Sequence, residues 1–189
     1  MTSLPVAIPA GVVSAQSQPV IDAGPGLRLR PFVEADADVL VRAYADPAIE
    51  RWHRRTLTGD EALEWVRGRA WARWRSETGA EWAVVDGDVV VGRVGLPALH
   101  LDEGVAEVGY WVLPDGRGRG VAGRALTAMS HWLFDLGLHR IELMHSVLNE
   151  PSCRVAAKNG FALEGTRRSA LLHPDGWHDM HLHARLAPD

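Results

Sequence analysis

Gly109-Tyr110-Trp111-Val112-Leu113-Pro114-Asp115-Gly116-Arg117-Gly118-Arg119-Gly120-Val121-Ala122-Gly123 is the stretch whose reading decides the fold of this chain. It opens with an apolar run of aromatic and β-branched residues, the composition of a strand. Pro114-Asp115-Gly116 stops the strand and turns the chain. Glycines at 116, 118 and 120 then interleave with Arg117 and Arg119, and from Val121 apolar residues recur with helical period at Ala125, Leu126, Met129, Leu133 and Leu136. The order is strand, glycine-rich turn, helix. Backbone N–H groups of such a turn point at whatever sits over the helix N-terminus, and the glycines leave no Cβ to block its approach. Two added guanidinium groups make the preferred occupant a polyanion, most naturally a pyrophosphate.

The flanking sequence supplies the rest of an α/β domain. Upstream, Val105 to Leu113 forms the strand that enters the turn, and Trp82 to Gly92 is a hairpin around Asp86-Gly87. Thr58-Gly59-Asp60-Glu61 is a capping box opening a helix with Leu63, Val66, Ala70 and Trp74 on it. Asp46-Pro47 separates two shorter helices, and Leu27 to Phe32 alternates as a first strand. Downstream, glycine at 137 suits a helix end, and Arg140 to Val147 is a strand. Asn149 then caps a helix with Pro151 in its first turn. Phe161 to Glu164 and Trp177 to Leu186 are strands around Pro174-Asp175-Gly176. Residues 1–25 are rich in Pro, Ala, Ser, Gln and Val without a clear period and predict a flexible tail ahead of a single domain at 26–189; Pro19-Val20-Ile21 as a short packed strand is the alternative.

Composition narrows the classes of function. The 189 residues suffice for one domain with a core, and 47% hydrophobic with 23% charged content is ordinary for a soluble protein. A net charge of −4 argues against non-specific nucleic-acid binding. No apolar run approaches a membrane span, and Pro5 and Pro9 interrupt an N-terminus that lacks a basic region, so no signal peptide is expected. Cys153 is the only cysteine, which excludes an internal disulfide and fits the reducing cytoplasm.

Gly118-Arg119-Gly120-Val121-Ala122-Gly123 matches the dinucleotide fingerprint, with Glu142 near the place of a ribose-binding acid. The context argues against it. Three residues separate strand from motif, and the chain beyond the helix reads as one strand, one helix and a hairpin, with no further βαβ units. Arg117-Gly118-Arg119-Gly120-Val121-Ala122 instead resembles the R/Q-x-x-G-x-G/A signature of the GNAT N-acetyltransferases. A second block agrees: Asn149-x-x-Ser152, then Ala157-Lys158-Asn159-Gly160-Phe161-x-Leu163-Glu164-Gly165. With Glu107 to Val112, Asp46-Pro47…Trp52 and Gly176-Trp177-x-Asp179, the likeness extends over residues 26–187 and is nearest the ribosomal-protein N-terminal acetyltransferase (RimJ- and RimL-like) branch.

That resemblance implies a mixed, mostly antiparallel sheet of six or seven strands with about four helices, in which the strands around Trp111 and Val147 splay apart. It implies acetyl-CoA as co-substrate, an amine acceptor (a protein N-terminus or a small molecule), no metal, and a possible homodimer. The expected cofactor contacts are backbone groups at Trp111, Val112 and Leu113, the loop Arg117, Gly118, Arg119, Gly120, Val121 and Ala122, and Asn149. Many members carry a tyrosine general acid four residues before the Gly-Phe pair; here Ala156 holds that position. Ser152 is therefore the candidate acid. The missing tyrosine also leaves room for a catalytically weak acyl-CoA-binding regulator.

Acetyl transfer needs a deprotonated amine, a polarised carbonyl and a protonated leaving thiolate. Glu107, four residues before Trp111 and on the same strand face, is the candidate base; ordering a nearby loop is its alternative role. Ser152 as a helix-start hydrogen bond and Asn149 as a plain cap are the corresponding alternatives. His178, His181 and His183 read as a polar strand face and not as metal ligands, and Cys153 as helix packing. Trp52, Trp65, Trp71 and Trp74 recur near helical spacing and read mainly as core, with Trp52 and Trp71 able to reach a substrate cleft.

Overall fold

The computed structural model describes residues 5–53 and 55–188. Eight strands form one sheet in the order β1-β2-β3-β4-β5-β6-β8-β7. They are β1 (Ile21–Asp22), β2 (Leu27–Pro31), β3 (Ala80–Asp86), β4 (Val89–His100), β5 (Val105–Val112), β6 (Arg140–Ser146), β7 (Ala162–His173) and β8 (Gly176–Leu186). Every neighbouring pair is antiparallel except β5 with β6. A parallel pair needs a crossover, and helix α5 (Val121–Asp135) provides it. The pairing is brief. Val105, Ala106 and Glu107 face Arg140, Ile141 and Glu142, and there it ends. Beyond that point β5 stays with β4 and β6 with β8, so the sheet forks at its centre.

Alternation along the strands fills a core on each face. On one, α5 and α6 (Glu150–Lys158) cover Trp82, Val84, Val94, Val108, Ile141 and Leu143, with Met129, Leu133, Ala156 and Phe161 packed against them. On the other, α1 (Ala37–Tyr44), α2 (Pro47–His53) and α3 (Gly59–Glu64) enclose Leu40, Tyr44, Ile49, Val66, Val85 and Trp111. Helix α3 continues through a π-turn, Trp65–Arg69, into α4 (Ala70–Arg75). It starts at the capping box: Thr58 Oγ1 accepts the Glu61 N–H at 3.3 Å and the Glu61 carboxylate accepts the Thr58 N–H at 2.8 Å. Among the described residues no helix is long and apolar enough to cross a membrane.

The N-terminal stretch departs from the flexible tail expected for 1–25. Residues 1–4 lie outside the described residues, but 5–25 are laid against the domain. Ile8 and Val13 are buried, and the amides of Ala7 and Ile8 donate to the carbonyls of Asp102 and Leu101. The indoles of Trp74 and Trp82 donate to the carbonyls of Gln16 and Pro19. β1 pairs with β2 and raises the strand number to eight. The segment shows no period because side chains, not a helix or a ladder, satisfy much of its backbone.

Glu77 is the main clamp. Its carboxylate accepts the N–H groups of Gly11, Val13 and Ser14 at 2.7, 2.8 and 2.8 Å. Burial alone would raise its pKa, but these amide donors together hold it below the usual carboxylate value. Glu77→Ala should speed amide exchange at Gly11, Val13 and Ser14 and cost about 1.5–3 kcal/mol, the range for hydrogen bonds to a charged group. Because the folded pKa is depressed, that contribution is present at neutral pH and fades as pH falls through the folded value. Hydrogen exchange with melting curves against pH checks this: wild type and variant should converge towards acid.

Candidate active site

The fork opens onto a cavity of about 710 Å³. β5 contributes Tyr110, Trp111 and Val112 to its wall; the turn and the start of α5 contribute Gly116, Arg117, Gly118, Gly120, Val121, Ala122 and Gly123. α2 adds Ile49, Trp52 and His53, and the α6 side adds Asn149, Ser152, Val155 and Lys158. Of the residues expected at the site, Leu113, Arg119 and Glu107 are not on this wall. Trp71 is absent from it too and lies half-exposed on the helix surface.

One end of the cavity is built from backbone. Gly118 and Gly120 sit at φ +75° and +72°, a region that side chains disfavour, and a Cβ at either would point into open space. The first i→i−4 bond of α5 runs from Arg124 N–H to Gly120 O at 3.0 Å. The N–H groups of Val121, Ala122 and Gly123 therefore have no intrahelical partner, and all three residues line the cavity. Gly123 also lets α6 approach: a Cβ there would lie 3.2 Å from Asn159 Nδ2, and Thr127 Oγ1 donates to Asn159 Oδ1 at 2.6 Å.

The arginines divide. Arg117 reaches the cavity, donates from Nε to Val112 O at 3.1 Å and pairs with Asp46 at 2.7 Å. Arg119 turns to Asp86 on the β3 end, away from the cavity. Lys158, the sole lysine of the chain, stands on the wall instead.

Deeper in, the strand edge meets two hydroxyls. Leu113 N–H is committed to Val91 O across β4, and its side chain packs into the helix-side core. The Tyr110 carbonyl accepts from His53 Nε2 at 3.1 Å. The Tyr110 hydroxyl lies 2.9 Å from Ser152 Oγ. Burial pushes the Tyr110 hydroxyl up to about 12, against a smaller opposing effect of Ser152, so the phenol keeps its proton at neutral pH. Asn149 Oδ1 accepts the Ser152 N–H at 3.2 Å, the ordinary cap, while Asn149 still borders the cavity. Burial, then the charge of Arg93, drives His53 down to about 4. The ring is neutral, and since a carbonyl only accepts, Nε2 carries the hydrogen and Nδ1 a lone pair.

Glu107 stands at the crotch of the fork, the last β5 residue paired with β6, beside Glu142 and on the Trp111 face of the sheet. Burial and then the Glu142 charge raise its pKa, with Arg167 opposing. Glu142 itself is held by Arg140 at 2.7 Å.

A family description, acetyltransferase (GNAT) domain, matches residues 26–162. The chain belongs to the GNAT acetyltransferase family. It is 33% identical over 100 residues to the ribosomal-protein-serine acetyltransferase of Escherichia coli K12, a match covering 52% of this chain and 56% of that protein. RimL, a ribosomal alpha-N-protein acetyltransferase of known structure, superposes with a TM-score of 0.81 at 22% identity, over 95% of this chain and 99% of that one. The acetyltransferase MccE, solved in complex with acetyl-CoA and AMP, gives 0.79 at 17% identity over 87% and 94%. At these identities the two structures show likeness of fold.

In this GNAT chain, three polar side chains of the wall were not among the expected site residues: His53, Tyr110 and Lys158. Tyr110 had a usable signal, since it alternates with Trp111 and so faces the α6 side where Ser152 lies. His53 closes its helix with no distinguishing pattern, and Lys158, although it lies within the Ala157-Lys158-Asn159-Gly160-Phe161 block, has no feature there that marks it as a wall residue. Tyr110→Phe and Ser152→Ala should each cost about 0.5–1.5 kcal/mol, the net worth of a hydrogen bond. Because the two share one bond, the double variant should lose less than the sum, which urea melts in a double-mutant cycle will measure.

Proposed function

We propose that the protein is an acetyl-CoA-dependent N-acetyltransferase that passes acetyl directly to a primary amine, first of all the α-amine of a protein N-terminus. The observation that carries this reading is the cavity at the fork, which is lined both by helix N–H groups without an intrahelical partner and by the Tyr110–Ser152 hydroxyl pair. The E. coli relative, named for a ribosomal-protein serine, and MccE, solved with acetyl-CoA, support the acceptor and the donor.

The amides of Val121, Ala122 and Gly123, with Arg117 and Lys158, suit a pyrophosphate. The open edge of β5 suits an extended chain of amides. Bound acetyl-CoA supplies the acetyl thioester. Glu107, raised towards neutrality, takes the amine proton through a water. The freed nitrogen attacks the carbonyl carbon, the carbon–sulfur bond breaks, Ser152 gives its proton to the departing sulfur, and the second proton that the nitrogen sheds on becoming an amide restores the Ser152 hydroxyl through the protonated Tyr110. Tyr110 brings a phenol to a site where Ala156 leaves none, which favours catalysis over a merely binding role. Glu107 belongs to the face covered by α1–α3 and Ser152 to α6 on the other, as an acceptor and a donor arriving from opposite faces require. We further take the enzyme to act in the cytoplasm as a homodimer, on family likeness; sedimentation as a monomer above micromolar concentration would refute the dimer.

Gly120→Val should weaken acetyl-CoA binding by about tenfold or more, near 1.4 kcal/mol, in isothermal titration of protein shown folded by circular dichroism. Unchanged affinity would remove the loop from the site. Glu107→Gln should lower kcat/KM by about 10²–10⁴-fold, with the loss shrinking at high pH where free amine is abundant. Its effect on stability has the opposite sign. A raised folded pKa favours the fold only at low pH, and the benefit is lost as pH rises through that value. At pH 7 the glutamine should therefore hold or raise Tm. A glutamate that only orders its neighbours would lose activity and Tm together.

A further inference from the structure

His145, His181, His183 and Cys153 come from β6, β8 and α6 and converge on the sheet face beneath α6. The register puts His145 opposite His181, with His183 two residues further along the same face. Each of the four offers one ligand atom, and these atoms all lie within 4.8 Å of one another. The face is not open to solvent: His145 is 5% exposed and His183 2%. The residues on the other face, Met180 and Ala184, are buried too, so β8 has no polar side for the histidines to occupy.

The hydrogen bonds leave the lone pairs turned inward. His145 Nδ1 donates to Ser146 O at 2.8 Å, so in the neutral ring Nε2 is bare, and that nitrogen is buried without a hydrogen-bond partner among the described residues. His183 Nδ1 faces Phe161 O at 3.3 Å, which leaves Nε2 bare, 3.8 Å from Cys153 Sγ. His181 Nδ1 is also buried without a hydrogen-bond partner among the described residues. Buried polar atoms are rarely left unsatisfied, and two in one small cluster call for an explanation. Backbone carbonyls fixing the outer nitrogen are the usual support of a metal-binding histidine.

We propose that these three imidazoles and the Cys153 thiolate form a tetrahedral site for one zinc-class divalent ion. Three nitrogens and one sulfur suit a borderline-soft metal, and four protein ligands make the site closed and structural. Bonds of about 2.0–2.3 Å set tetrahedral ligand atoms roughly 3.3–3.8 Å apart, a modest contraction of the present cluster. Binding replaces the thiol hydrogen, which leaves as a proton, with a sulfur–metal bond. The ion would tie the first turn of α6 to β6 and β8. Cys153 adjoins Ser152, so this tie holds the hydroxyl at the cavity. The site stands independently of the acetyltransfer reading.

The test uses the full chain, stripped with chelator and then given Zn²⁺ or Co²⁺. Desalted protein should retain one zinc per chain by mass spectrometry. The cobalt form should show the intense visible bands of a tetrahedral ion and a thiolate charge-transfer band. Zinc should raise Tm and slow amide exchange in α6. Cys153→Ser should abolish the charge-transfer band, and His183→Gln should remove retention, whereas the exposed His100→Ala should change neither. A folded wild-type chain that retains no zinc would overturn the proposal. So would unchanged retention and bands in Cys153→Ser and His183→Gln; if one of these does not fold, the wild-type stoichiometry and cobalt spectrum decide alone.

Discussion

The parting of β5 from β6 governs the rest of the molecule. Three residue pairs join them, and past Glu107 each strand keeps a single neighbour, so two open edges confront each other in the middle of a sheet. Unpaired edges inside a protein have to be satisfied. Side chains answer part of the demand: His53 takes the Tyr110 carbonyl and Arg117 the Val112 carbonyl. The crossover that makes the pair parallel delivers the start of α5, with its spare amides, to the mouth of the same gap. The strand edge and the amide cluster thus have one topological origin.

A buried charge pair sets the tone on the helix side. Arg93 and Glu81 meet at 2.6 Å, and the space they need is kept by Gly95, where a Cβ would fall 2.0 Å from Glu81 Oε2. Removing either partner would strand the other charge, so the arrangement is all or nothing. The Arg93 charge also helps keep His53 neutral. The series Glu81, Arg93, His53 and the Tyr110 carbonyl therefore runs from the core to the cavity wall: the Glu81 carboxylate favours the charged Arg93, the Arg93 charge disfavours a second proton on His53, and the neutral His53 ring gives its Nε2 hydrogen to the carbonyl.

How much of this was legible depended on the range of the interactions. The strand, turn and helix at 109–136 could be read because proline, glycine and the apolar period act within a few residues, and the capping box at Thr58 is equally local. The anchoring of residues 5–25 was not legible, since its partners, Glu77, Trp74 and Trp82, are remote in sequence and bind backbone without a pattern. Arg119 looked equivalent to Arg117 in a loop that alternates its directions, and only the position of Asp86 separates them. Alternation showed that His181 and His183 share a face. It gave no hint that α6 covers that face or that His145 joins it from another strand.

The pairing of both loop arginines has a further consequence. Arg117 is matched by Asp46 and Arg119 by Asp86, so the turn proposed to receive the pyrophosphate carries little surplus positive charge, on a chain whose net charge is −4. Such a turn casts no strong field of its own into solution and, apart from the charge of Lys158 on the wall, does little to draw a polyanion from a distance. Capture then rests on close-range geometry, and the encounter rate should be nearly indifferent to ionic strength. The same neutrality discourages the many other anions of a cell from lodging there, so discrimination among phosphorylated molecules falls to the length and shape of the cleft.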